Sequence, residues 1–198
     1  MQLENSGIIR RTLLAIHSTI FDIQDRLWSL ESEDALSHFE EYVVALEDRR
    51  FFAHGGIDFL SILRELKNLL LLNKVHGAST IEMQLYRTLS SRYERRLSRK
   101  IIELIAAKAY QKKFTKVQIL RSYLQVAYFG TGLVGSEMAS NEVYKIPSSE
   151  IKHKKAARLA AMLVYPKPKL VNANWKAKVV RRAKYGRFIY WTRPKGSK

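Results

Sequence analysis

The chain has 198 residues, 46% of them apolar and 11% aromatic, no cysteine, and 35 Lys and Arg against 18 Asp and Glu, a net charge of +17. An apolar content of that size is enough for the core of one domain, which excludes disorder as the main state. The lack of cysteine excludes a disulfide framework, a thiol nucleophile and a Cys-based zinc site.

The charge is uneven. Residues 1–48 hold three basic and ten acidic groups, whereas residues 49–198 hold 32 basic and eight acidic ones, and the fifteen Lys and Arg after Glu150 are accompanied by no acid. Such a field draws polyanions: nucleic acid, an anionic bilayer or a phosphorylated substrate. A membrane-spanning helix needs about 18–20 apolar residues. The longest uncharged stretch, 122–136, has 15 residues and includes Gly130, Gly132 and Gly135, so no span is expected.

Helical periodicity dominates in chain order. An amphipathic first helix is predicted over 8–30. Arg10 and Arg11 precede the apolar run 12–21 in the manner of a signal peptide, but His17 interrupts it and Asp22 and Asp25 stand where small cleavage-site residues belong. Further helices are predicted over 57–72, 97–114 and 117–126. Ser79 with Glu82 and Thr115 with Gln118 read as capping boxes, and Ser148 with Glu150 as the start of a helix running toward Val164. Gly55-Gly56, the glycine-rich segment 129–135 and Tyr165-Pro166-Lys167-Pro168 are predicted connections. No convincing strand alternation is present.

Three clusters carry chemistry. Glu47-Asp48-Arg49-Arg50-Phe51-Phe52-Ala53-His54-Gly55-Gly56 crowds acids, arginines and aromatics between two helices; for an arbitrary sequence this would be a capped junction with a surface ion pair. Gly77 to Gln84 is a glycine turn into a capped helix, whose first amides suit an anion. Arg87, Arg92, Arg95, Arg96, Arg99 and Lys100 face only Glu94 and Glu103, with Arg95, Arg99 and Glu103 on one helical face. That cation excess is what a bound phosphate would complete.

These motifs resemble those of the family 51 glycosyltransferases, the peptidoglycan glycosyltransferase domains of bifunctional penicillin-binding proteins and monofunctional enzymes. Glu47 to Gly56 is similar to E-D-x-x-F-x-x-H-x-G with one residue of drift at the last glycine. Gly77 to Gln84 is similar to G-x-S-T-I-x-x-Q, and Arg99-Lys100-Ile101-Ile102-Glu103 to R-K-x-x-E. The segments 119–124, 128–130 and 156–166 resemble the later blocks. The resemblance covers 40–170 and divides the chain into an N-terminal helical segment (1–39), a catalytic domain (40–170) and a basic aromatic tail (171–198). It implies an all-α, lysozyme-like, bilobed fold with head and jaw lobes and a cleft between them.

The implied activity is polymerisation of lipid II into β-1,4 glycan strands, in which an acceptor 4-hydroxyl displaces polyprenyl pyrophosphate with inversion. The resemblance makes Glu47 the general base and Glu103 the second catalytic carboxylate, placed either to order the arginines or to hold a divalent ion, Mg or Mn; no organic cofactor is implied. Arg87, Arg95, Arg99 and Lys100 become diphosphate ligands, with Arg50 close to the same group. Ser79, Thr80 and Gln84 position sugar, Asp48 neighbours the base, and His54 is read as structural.

Arg87 in place of the usual Lys, together with Ile102, Gln125 and Lys155, marks a divergent member acting on lipid II or a related polyprenyl-linked saccharide. The expected place is the extracytoplasmic face of a bacterial cytoplasmic membrane, held peripherally by the tail and in company with cell-wall synthases. Competing readings are a lysozyme-like hydrolase, a non-catalytic binder of lipid-linked sugar and a nucleic-acid-binding protein, the last without any visible motif.

Overall fold

The computed structural model describes residues 2–27, 35–72, 79–94 and 96–192. Along the chain run α1 (Gln2–Leu27), α2 (His38–Glu47), a 3-10 turn (Phe51–Ala53), α3 (Phe59–Leu72), α4 (Ile81–Leu89), α5 (Leu97–Lys113) and α6 (Lys116–Val126). The hairpin β1 (Tyr128–Gly130) and β2 (Leu133–Val134), α7 (Ser136–Tyr144), α8 (His153–Ala161) and α9 (Ala173–Thr192) follow. The fold is thus helical, as the periodicity predicts, apart from one short antiparallel pair. None of the described helices is long and apolar enough to cross a membrane.

Two compact units share these elements: Met1–Ser32 with Arg50–Ser122, and Glu33–Arg49 with Tyr123–Lys198. The boundary falls inside the Glu47 to Gly56 motif.

In the first unit α1, α4 and α5 pack together. Helix α1 buries Ile16, Thr19, Ile20 and Ile23, spaced for one face, against Ile81, Leu85 and Tyr86 of α4 and Ala106, Ala107 and Tyr110 of α5 in a common core. The Tyr110 hydroxyl donates to Thr19 Oγ1 at 2.7 Å, which satisfies both of these buried polar groups. Gly56 has φ +87°, and a Cβ there would lie 2.7 Å from the Ala107 carbonyl oxygen. Only glycine serves both demands, which explains why the motif's last glycine is Gly56 rather than Gly55.

The second unit is built on α2, α8 and α9. Helix α2 buries Phe39, Glu40, Tyr42, Val43, Val44, Ala45 and Leu46, nearly its whole circumference. It has no polar stripe and therefore no periodic signature, and the sequence predicts no helix there. It is opened by a capping box in which Glu40 N donates to Ser37 Oγ and Ser37 N to Glu40 Oε2. Five small or apolar residues of α8, Ala156, Ala157, Leu159, Ala160 and Ala161, are buried. Helix α9 buries Val179, Ala183, Gly186 and Ile189, and a Cβ on Gly186 would come within 3.0 Å of Leu46, so the glycine allows α9 to lie close to α2.

Several local expectations shift. The Thr115 and Gln118 box forms as predicted. At α4 the N-cap is Thr80, whose Oγ1 accepts from Met83 N at 3.4 Å, and not Ser79. Helix α8 starts at His153 without a side-chain cap; Ser148 instead donates its hydroxyl to Glu137. The segment 129–135 becomes the hairpin, which is too short to show alternation. The basic tail forms the 20-residue α9. Gly77 and Ala78 lie outside the described residues, as does the end of the predicted first helix beyond residue 27.

Candidate active site

In the first unit the site forms around a buried carboxylate. Glu103, on the second turn of α5, is fully buried. Arg87, from the last turn of α4, grips it in a fork: Nε donates to Oε1 at 2.8 Å and Nη2 to Oε2 at 3.1 Å. Arg99, four residues before Glu103 on the same face, brings Nη1 to 3.2 Å from Oε1, and Lys100 brings Nζ to 3.5 Å from Oε2. Ser79, directly before the α4 cap, accepts from Lys100 Nζ at 2.8 Å and Arg87 Nη2 at 3.2 Å.

Three cations therefore surround one carboxylate, leaving a local excess of two positive charges. Burial, together with Arg87 and Arg99, pushes the Lys100 ammonium below its usual pKa despite the pull of Glu103. Arg99 Nε is buried with no hydrogen-bond partner among the described residues. A buried donor without an acceptor and an uncompensated cation cluster are both features that an anion would satisfy.

Of the two arrangements open for Glu103, the geometry is that of a carboxylate ordering its cations. Both oxygens face guanidinium and ammonium nitrogens, so Glu103 does not fit as a metal ligand here. Thr80 donates to the Gly56 carbonyl at 3.0 Å while it caps α4, which fixes the strand of chain on which Ser79 sits. Gln84 lies one turn further along α4. Arg50 pairs with buried Asp58 (Nε to Oδ1, 3.3 Å) at the start of α3. Burial by itself would raise the Asp58 pKa, but hydrogen bonds from Ser61 and the charges of Arg50 and His54 carry it below the ordinary value. Arg95 lies outside the described residues.

A third buried acid in this unit, after Glu103 and Asp58, is Glu82, which the sequence places only in a capping box. Glu82 Oε1 accepts from Lys116 Nζ at 2.6 Å and from Gln111 Nε2 at 2.7 Å. Lys116 also stands 4.3 Å over the Phe51 ring and 3.5 Å from His54 Nδ1. This ties the Phe51–His54 turn to α4 and α6. A lone acid between the apolar Ile81 and Met83 was the available signal.

In the second unit Glu47 is the last residue of α2 and Asp48 its C-cap, with Asp48 N donating to Val44 O at 3.1 Å. The Glu47 side chain is 11% exposed, and Arg182 of α9 brings Nη2 to 3.6 Å from Oε1 while donating to Leu46 O at 2.6 Å. A carboxylate at a helix C-terminus meets the negative end of the macrodipole, and Arg182 compensates it. Arg182 carried no sequence signal, being one of many cations in the tail. Arg49 stacks on Tyr185, with its guanidinium 5.2 Å from the ring centre.

Within a helical fold, the first unit thus holds a buried carboxylate that orders three cations, an arrangement an anion would complete. The transglycosylase profile matches residues 16–186, and the chain belongs to that family, the family 51 glycosyltransferases. It is 32% identical over 162 residues to the biosynthetic peptidoglycan transglycosylase of Mannheimia succiniciproducens, covering 82% of this chain and 66% of that protein. It is 36% identical over 132 residues to the enzyme of the same description from Thiobacillus denitrificans, covering 66% of this chain and 57% of the relative. Penicillin-binding protein 2a of Streptococcus pneumoniae is 35% identical over 141 residues, which are 69% of this chain and 18% of that protein. The chain thus spans two thirds or less of the length of these curated relatives.

Proposed function

We propose that this chain is a peptidoglycan glycosyltransferase that polymerises lipid II, or a related polyprenyl-pyrophosphate-linked saccharide, at an anionic membrane surface. The observation that carries the reading is the Arg87, Arg99 and Lys100 cluster around Glu103. In the reaction, the acceptor 4-hydroxyl oxygen bonds to the donor's anomeric carbon as the bond from that carbon to the diphosphate oxygen breaks on the opposite face. Glu47 takes the hydroxyl proton. The departing diphosphate carries its negative charge onto the three cations, so no general acid is needed. Ser79 orients Arg87 and Lys100, and Thr80 and Gln84 set the α4 end against which sugar is positioned, with Arg50 and Arg95 as further anion contacts.

Mg or Mn belongs to the family's chemistry as a partner of diphosphate. Since Glu103 does not fit as its ligand, no step above depends on it. The test is incubation of the wild type and Glu47→Gln with labelled lipid II. The wild type should form glycan, and the variant should be slower by about 10²–10⁴. Absence of glycan from the wild type, or clearing of preformed peptidoglycan without any lipid-linked donor, contradicts the proposal.

A further inference from the structure

Helix α9 has a face that its packing does not use. Its inner side is Val179, Ala183, Gly186 and Ile189, while Arg181, Lys184, Tyr185, Phe188 and Trp191 are all exposed. At helical spacing these five fall within a sector of roughly 120°. Phe188 is 65% and Trp191 57% exposed, so two large rings stand in solvent beside two cations.

Two of the three rings on this face are held in place. Trp191 packs against His153 at 5.2 Å and edge-on against Tyr190 at 5.2 Å, and Tyr185 is fixed by the guanidiniums of Arg49 and Arg182. The segment that carries them contains no acid after Glu150. Fixed amphipathic rings between cations match the boundary between lipid headgroups and acyl chains. There Phe188 and Trp191 leave water for the acyl boundary while Arg181 and Lys184 meet phosphate. A single-stranded nucleic acid would engage the same cations and stack a base on Phe188, and the oligonucleotide arm of the test separates it from lipid.

We infer that this face of α9 docks the protein onto an anionic phospholipid surface. The inference deepens the membrane part of the proposed function, and its test reads lipid binding without turnover, so the two fail separately. The full chain is mixed with phosphatidylcholine vesicles with or without phosphatidylglycerol, and partition is followed by co-sedimentation and by quenching of tryptophan fluorescence with brominated acyl chains.

The wild type should bind the phosphatidylglycerol vesicles preferentially. Arg181→Gln with Lys184→Gln should weaken that binding by about 20–30-fold. Arg181→Lys with Lys184→Arg should restore it, which separates charge from any folding defect seen by circular dichroism. Phe188→Ser with Trp191→Ser should abolish the acyl-chain quenching. Wild-type partition by both neutralised and ring-deleted variants overturns the inference. So does tighter binding to a single-stranded oligonucleotide than to the phosphatidylglycerol vesicles, weakened by the same substitutions, which would assign the face to nucleic acid.

Discussion

Lys100 shows how a single residue carries the proposed chemistry. Its ammonium is destabilised by burial and by Arg87 and Arg99, and a bound diphosphate would relieve that destabilisation. Because its folded pKa lies below the ordinary 10.5, the folded state holds fewer protons than the unfolded chain between the two values. Stability from this group therefore rises with pH through that window, while diphosphate affinity falls as the ammonium is lost. Isothermal titration with inorganic pyrophosphate should show this decline at alkaline pH below 10.5. Lys100→Arg should flatten it, because a guanidinium stays charged throughout; an unchanged profile would separate Lys100 from anion binding.

Ser79 and Thr80 are adjacent, yet the structure gives them different work. Thr80 caps α4 and holds Gly56, so Thr80→Ala should cost about 1 kcal/mol in urea unfolding. Among the described residues Ser79 receives hydrogen bonds from Lys100 and Arg87, so Ser79→Ala should leave the unfolding midpoint close to wild type and weaken pyrophosphate binding. The reverse pattern would restore the Ser79 cap that the sequence suggests.

At the scale of elements, α2, α8 and α9 meet around His153. Its ring lies 4.1 Å from that of His38 and 5.2 Å from Trp191, and its Nδ1 is 3.3 Å from the Tyr42 hydroxyl. Burial, with His38 and Arg187 nearby, holds the His153 pKa below the usual 6.5, against the opposing pull of Glu41. The unfolded chain thus binds more protons as the pH drops below 6.5, and the contribution of this group to folding is lost between 6.5 and its lower folded value. Thermal unfolding should show the wild type losing stability over that interval and His153→Gln losing less of it. Equal losses in both proteins would place the acid sensitivity elsewhere.

The same three helices show which elements a sequence reveals. Helices α1, α5 and α6 present one apolar face and one polar face, so their periodicity is plain. Helix α2 is buried almost all round, α9 scatters cations around a narrow apolar seam, and the hairpin is two and three residues long; none leaves a periodic trace. The site was legible where chemistry is concentrated in short motifs, as with Glu103 and its cations. Lys116, 34 residues from Glu82, and Arg182, far along the chain from Glu47, become partners only through folding.

Over the whole molecule, part of the +17 net charge is found in distinct structural settings. Three cations are ordered around Glu103, Lys116 balances Glu82, and Arg182 stands by Glu47. Arg181 and Lys184 belong to an outward face that no part of the described core needs. A general polyanion attraction accounts for none of these pairings, whereas the proposed diphosphate-linked substrate and the inferred lipid surface would account for the cluster and for the α9 face together.

The most direct test of that account is the stereochemistry and base dependence of one reaction. Lipid II with its α-linked diphosphate is supplied, and the new glycosidic bond is read by NMR. The account predicts a β-linked product from the wild type and a loss of about 10²–10⁴ in rate for Glu47→Gln with pyrophosphate affinity retained. An α-linked product, or wild-type turnover by Glu47→Gln, would contradict it.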